Sequence, residues 1–447
     1  HLDITSSNGS IYMHTFDDYS TLESLSITTT DTSSDIDIFF ETDAENNILL
    51  PNLSGSKGLS LLGNLTLDIG ANQEFNSSDY NGNLDFSGVH MTGSGFVTFN
   101  TGSGELSLGS FSGSSEDTPF TALNIHSTGK LNLHGELDIA SETGFDFSSV
   151  NAIEIHTDLT LGSAEVPTKI NFGEASINGT YSLALYSSSL TIANIGNNIP
   201  LQNLNIFSST EADAALTLSS EINVVGNVNI DAGALNLNSS ITSSGENINI
   251  NSEMDMTMHK DAIISAEYGN ITMTSNTGNI GIGQLVAGND VTVRSEQGYL
   301  YNNVNDYISN SSATKNIIST DQELYGFSNI GESVSSPIVI DVQNGGTINA
   351  ESNGNIYIAN LANAQVNSSG RVIDGSSGGE TASIDAFTQL KLASLHTVNL
   401  PSFSNSPELI SNLTWQVDEE ENIRKIKSPA SAPAIYYSRY GWRLGQK

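Results

Sequence analysis

The sequence predicts an all-β chain: a right-handed parallel β-helix with three faces and about 20–23 residues per coil. Three observations lead there. A phrase recurs at a fixed step: GNVNI from Gly226, GENINI from Gly245, GNITM from Gly269 and GNDVTV from Gly288. Its apolar–polar–apolar triplets begin at Val228, Ile248, Ile271 and Val291, steps of 20, 23 and 20 residues, and a period in this range marks a solenoid. No helical periodicity of useful length competes with it.

Each triplet has a physical reading. Successive strand residues face opposite sides, so Val228 and Ile230 point one way and Asn229 the other. The glycine ahead is expected to turn a corner through positive φ. Weaker triplets lie between the main ones, at Leu235-Asn236-Leu237, Met254-Asp255-Met256 and Ile280-Gly281-Ile282, which gives two or three strands per coil. One coil cannot bury its apolar side alone, whereas stacked coils can.

The pattern is loose over residues 1–58, where Ile11, Leu25 and Ile36 start irregularly spaced triplets. Residues 59–298 read as the regular helix. It is densest from 121 to 172, where triplets begin at Leu123, Leu131, Leu137, Phe145, Ile153, Leu159 and Ile170, as three strands per coil require. Over 299–336 the pattern fails amid Tyr299, Tyr301, Tyr307 and Tyr325, and a looped-out or distorted coil is expected. Residues 337–422 resume the triplets and 423–447 form a basic aromatic tail. At this period the 447 residues would make about 20 coils and a rod near 100 Å long at roughly 4.8 Å per coil.

Composition limits the function. The formal charge is −36, from 50 acidic against 14 basic residues, which repels nucleic acid and anionic lipid and favours cations. Cysteine is absent, so neither disulfides nor thiolate metal sites operate. No apolar run reaches the length of a membrane-spanning helix. The chain opens on His1 with neither initiator Met nor signal peptide, and is expected to be a processed chain or a piece of a longer one.

The phrases GNVNIDAGALNLNSSITSSGENINI and GNITMTSNTGNIGIGQLVAGNDVTV resemble the repeats of filamentous-haemagglutinin-type exoproteins, bacterial adhesins exported by two-partner secretion. The close likeness covers 226–293 and a looser one 59–293. The resemblance implies a parallel β-helix at the cell surface with a role in adhesion or biofilm. The NPNG-type signatures of that family's secretion domain are missing, so it implies a downstream segment or a divergent relative.

Candidate chemistry is sparse. His126, His134 and His156 each follow a triplet, and His134 and His156 are 22 residues apart, about one coil. Stacked at a corner, the latter two are candidate transition-metal ligands; the bland alternative is a tolerated corner residue. Asp35 and Asp37, with Glu41, are candidate calcium ligands, so calcium is the one cofactor considered, although the GGxGxD calcium repeat is absent. Asp138, Asp146 and Glu154 stand at the outward centres of successive triplets, which assigns them to different faces rather than to a glycosidase pair. No nucleophile elbow, phosphate loop or zinc-helix motif occurs, and no enzyme is expected.

The tail carries 6 of the 14 basic residues and no acid, which leaves 8 basic against 50 acidic residues, −42, in the rest. Tyr436, Tyr437, Arg439, Tyr440, Trp442 and Arg443 are the candidate interface, because aromatic residues and arginine make binding hot spots; the alternative is a cap on the last coil. The expected function is an extracellular structural adhesin or matrix protein. Its expected partners are copies of itself, further modules of a precursor, carbohydrate or a cell surface, and not nucleic acid. A surface filament subunit and a polysaccharide-binding or polysaccharide-degrading β-helix are the alternatives.

Overall fold

In the computed structural model the described residues are 73–78, 81–93, 95–113, 122–139, 144–208, 215–304, 314–333, 336–344, 347–352 and 357–360, plus the backbone of short strands before and after them. The fold is an all-β parallel solenoid of about 11 turns, with no helix among the described residues. The expectation of about 20 coils is too high. Coil length is not constant, since Val291 pairs with Gln322, 31 residues on, and the strands from 398 onward are antiparallel rather than coiled. The chain divides into two units, residues 1–209 with 220–224 and residues 210–219 with 225–447.

The second unit holds the regular repeat. Val228–Ala232, Ile248–Ser252, Ile271–Ser275 and Val291–Ser295 pair in parallel, with Val228, Ile248, Ile271 and Val291 in one register row. Two further rows complete each coil. One runs Ala234–Leu237, Met256–Met258, Ile280–Ile282 and Leu300–Asn302; the other runs Ile241–Ser243, Ile263–Ala266, Gln284–Ala287 and Ile317–Ser319. The inward residues of the first row, Val228, Ile230, Ile248, Ile250, Ile271, Met273, Val291 and Val293, are fully buried. Each contributes about 1.5–3 kcal/mol by leaving water.

The corners show why the phrase is spelled as it is. The residue ahead of each triplet accepts an amide from the next coil: Asn247 N–H donates to Asn227 Oδ1 (3.3 Å), Asn270 N–H to Asn247 Oδ1 (2.9 Å) and Asp290 N–H to Asn270 Oδ1 (3.0 Å). Serines at the far end of the strand are buried and close the opposite corner. Ser275 Oγ donates to Met254 O (2.8 Å) and accepts from Gly278 N–H (3.0 Å), and Ser295 repeats this with Gly278 O and Gly298 N–H. These bonds satisfy backbone groups that the turn takes out of the ladder. The glycines work differently from the expectation. Positive φ occurs at Gly102, Gly162, Gly196 and others, but at none of Gly226, Gly245, Gly269 and Gly288. A Cβ on Gly269 would meet Glu246 O at 2.0 Å, and one on Gly288 would meet Glu267 O at 2.1 Å; close approach of the neighbouring coil excludes a side chain.

In the first unit two sheets dominate. Leu84–Gly93, Leu106–Gly113, Lys130–Leu133, Ala152–Ile155 and Ser176–Asn178 form one. Phe96–Gly102, Ala122–Ser127, Phe145–Asp146, Thr168–Asn171 and Leu183–Thr191 belong to the other. The separate strands expected over 121–172 are present as Ala122–Ser127, Lys130–Leu133, Phe145–Asp146, Ala152–Ile155, Leu159–Leu161 and Thr168–Asn171, while Leu137 makes an isolated bridge to Phe111. Ahead of them Leu84–Gly93 and Leu106–Gly113 are longer strands that bend at a bulge between Leu108 and Ser110. The core here is aromatic: Phe75 stacks on Phe99 at 5.3 Å and meets Phe86 edge-on at 4.8 Å.

Asn249 lies between two buried isoleucines and donates to Asn229 Oδ1 at 2.9 Å. Ile250→Asp, which buries an unpaired charge, is expected to destabilise by several kcal/mol. Asn249→Asp loses one donor in the ladder and is expected to cost about 1 kcal/mol. Thermal melts of the two variants check the register; equal losses contradict it.

Candidate functional site

The outer face of the first unit carries the clearest cluster of titratable groups. Register places Ser107, Asn132, Glu154 and Asn178 in one outward row, between the buried rows of Leu106, Leu131, Ile153, Ile177 and of Leu108, Leu133, Ile155. One residue beyond the second buried row the ladder continues, with His134 N–H bonded to Leu108 O and His156 N–H to Leu133 O, each at 2.8 Å. The imidazoles therefore stand one coil apart and stack face to face, with centroids 4.2 Å apart and planes within 2°. Glu154 closes the group: it pairs with Lys130, and its Oε1 lies 3.7 Å from His156 Nε2.

Electrostatics follow from this packing. Burial lowers the His134 pKa, and His156 above it adds to the effect; Asp85 and Glu154 oppose it without reversing it. The hydrogen bond from Lys130 holds the Glu154 carboxyl below its usual range. Nitrogen lone pairs lie in the ring plane, so two parallel rings direct theirs side by side rather than at a common point. One ion at about 2 Å from both nitrogens does not fit this stack, and no group of three or more metal-ligating side chains occurs among the described residues. The stacked rings therefore do not chelate one ion between them.

Other candidates disperse. Asp146 and Glu154 lie in different sheets; Asp146 accepts from Ser148 N–H and Asn171 Nδ2, and Glu154 is taken by Lys130. The backbone of Asp37 pairs with that of Thr66, while its side chain and all of Asp35 and Glu41 lie outside the described residues. Of the tail residues, Tyr436, Tyr437, Trp442 and Arg443 sit in an antiparallel hairpin, Ala434–Ser438 with Gly441–Gly445, which sets Tyr437 opposite Trp442 and Tyr436 opposite Arg443. Arg439 and Tyr440 lie outside the described residues.

Sequence reasoning missed one arrangement. Tyr299 and Tyr301 flank the buried Leu300 and face outward in the second unit, with ring centroids 5.6 Å apart. The alternation Tyr-Leu-Tyr after Gly298 was the available signal, masked because tyrosines flank a single leucine where the other triplets place two apolar residues around a polar one.

The His134 shift has a pH consequence. A histidine whose folded pKa lies below its unfolded value favours folding while neutral. Its contribution is complete above the ordinary value of 6.5 and is lost as pH falls below it. The Glu154 contribution, from a lowered carboxyl, is lost only below the ordinary 4.5. Between about pH 8 and pH 5.5 the melting temperature of the wild type is expected to fall more than that of His134→Gln; parallel curves contradict the assignment.

Comparison with protein-family models, curated proteins and solved structures finds no match, so the functional reading rests on the chain's own residues.

Proposed function

We propose that this chain is the structural body of an extracellular adhesin or matrix protein, one that attaches through its flat outer faces to a cell surface or biofilm. The observation that carries the reading is the set of outer rows of polar side chains, mostly uncharged, bonded from coil to coil. Asn249 donates to Asn229, Asn251 to Asp231 and Asn132 to Ser107, at 2.9, 2.7 and 3.1 Å. Such rows present a regular array for many weak contacts, whereas catalysis needs a few groups converging on one point. The likeness of residues 226–293 to the repeats of secreted haemagglutinin-type adhesins supports the same reading, and the acidic charge favours partners other than nucleic acid or anionic lipid. The reading assigns no catalytic step.

A second reading, self-association, is favoured by the tail. Its six basic residues belong to a chain with 50 acids, and its strands form a hairpin and an antiparallel sheet rather than another coil. In this reading Tyr436, Tyr437, Trp442 and Arg443 meet the acidic face of a neighbouring copy.

One experiment addresses both. Beads coated with the protein are expected to hold cells while polysaccharides incubated with it keep their length; shortened chains, or beads that hold nothing, contradict the first reading. Deletion of 428–447 is expected to leave attachment intact and to abolish association between copies at an unchanged melting temperature. A lower melting temperature in a protein that was never associated makes the hairpin a lid and removes the second reading.

A further inference from the structure

The outer face of the second unit contains an aromatic platform built with evident constraint. Register aligns Thr217, Asn236, Thr257, Gly281 and Tyr301 as the outward centres of successive strands in one sheet. The ring of Tyr301 does not project away from this row but lies back across it. A Cβ added to Gly281 would stand 2.4 Å from Tyr301 Cζ and 2.5 Å from its hydroxyl. The centre of Ile280–Ile282 is buried as a result, while the centres of Met256–Met258 and Leu300–Asn302 are half exposed. The Tyr301 hydroxyl reaches Thr257 Oγ1 at 3.3 Å, two coils from its own strand. Glycine is a poor strand residue, since it offers no side chain to pack, and here it makes the seat that lets the ring lie flat.

Tyr299 adds a second ring, tilted 47° to the first with centroids 5.6 Å apart. The corner beside it is fixed: Tyr299 N–H donates to Asn279 Oδ1 (3.1 Å), and Asn279 N–H donates to Asp255 Oδ1 (2.7 Å). Burial, then Glu332, Tyr301 and Asp255, push the Tyr299 phenol upward, further from ionisation than an ordinary tyrosine. A half-exposed, pre-positioned aromatic surface thus lies beside hydroxyl, amide and carboxylate groups held by the coil ladder. The outward pair in the first unit differs, because Tyr186 and Phe207 stack on each other at 4.5 Å and each covers a face of the other.

We propose that Tyr301 and Tyr299, with Thr257, Asn236 and Asp255 beside them, form a binding site for a neutral polysaccharide of pyranose units. A pyranose ring has an apolar C–H face and a rim of hydroxyls. The first fits a flat aromatic ring, and the second fits polar groups fixed beside that ring. Nucleic acid also stacks on aromatic rings, but Asp255, Glu332 and the −36 charge oppose its phosphates. The same carboxylates oppose uronate polymers. This deepens the attachment reading by naming a ligand class, and it stands or falls separately from it.

The test is retardation of the folded protein in native gels containing hydroxyethyl cellulose, mixed-linkage β-glucan or galactomannan, with alginate as the anionic polymer. At least one neutral polymer is expected to retard the wild type. Tyr301→Leu is expected to weaken that association by about tenfold, the size of an aromatic contact. Tyr301→Phe, which keeps the ring and loses only the Thr257 bond, is expected to stay within about threefold. Tyr299→Ala gives an independent loss, and melting temperatures show that the variants fold. Three outcomes overturn the proposal: no neutral polymer retards the protein, Tyr301→Leu binds as the wild type does, or alginate is held equally well. Beads coated with Tyr301→Leu that still hold cells, in a protein no neutral polymer retards, remove this site and leave the attachment reading. Beads that hold nothing, in a protein that neutral polymers retard, do the reverse.

Discussion

In-register pairing of each strand with its counterpart one coil away is the constraint on which everything else depends. Parallel pairing sets equivalent residues about 4.8 Å apart, so each position becomes a row, and each row must be tolerable as a stack of near-identical neighbours. Inward rows meet this with Ile, Val, Leu and Met, fully buried in the second unit. Outward rows meet it with Asn, Thr and Ser, which donate and accept at once and can bond to a copy of themselves, as Asn249 and Asn229 do. A row of carboxylates would repel itself. The 50 acids therefore need dilution: Asp231 stands beside Asn251, and Asp255 beside Asn279.

Stacking also produces the two places where the surface is more than a polar array. Burial, with the neighbouring His156 imidazole one coil away, disfavours charge on His134 and makes it an easily discharged base. A glycine followed by a tyrosine in one row lets the ring fold back over its neighbour, the device that covers Gly281 with Tyr301. Both depend on the ladder rather than on a cavity. A chain built this way gains binding chemistry by changing single residues on an outer row without disturbing the core beneath.

Much of this was legible in the sequence, and the illegible parts have identifiable reasons. The triplets at Val228, Ile248, Ile271 and Val291 gave register, burial and period directly, because alternation and spacing are what a parallel coil imposes. The stacking of His134 on His156 followed from their separation of one coil. The reason for the glycines did not, since close approach of Glu246 O to Gly269 is a contact with another coil, and sequence shows only that a small residue is wanted. The serines at 252, 275 and 295 carry no mark of burial in the sequence, yet they are buried and close corners. Triplets from 121 to 172 marked separate strands correctly, whereas the bulge between Leu108 and Ser110 left no mark, because a long strand bent at a bulge repeats the same alternation. The tail's charge was plain, but its hairpin pairing was not, as Tyr and Trp show strand preference without naming a partner.

The in-register coil is tested most directly by paired cysteines, which the cysteine-free chain allows without background. Asn249 and Thr272 are register partners on neighbouring coils, whereas Thr274 pairs with Asn251, two residues along. Under mild oxidation Asn249→Cys with Thr272→Cys should form an intramolecular disulfide efficiently, within the Cα separation of roughly 4.4–6.8 Å that the bond permits. Asn249→Cys with Thr274→Cys should form little. Equal cross-linking of the two pairs, or preference for the second, would contradict the coil and everything built on its rows.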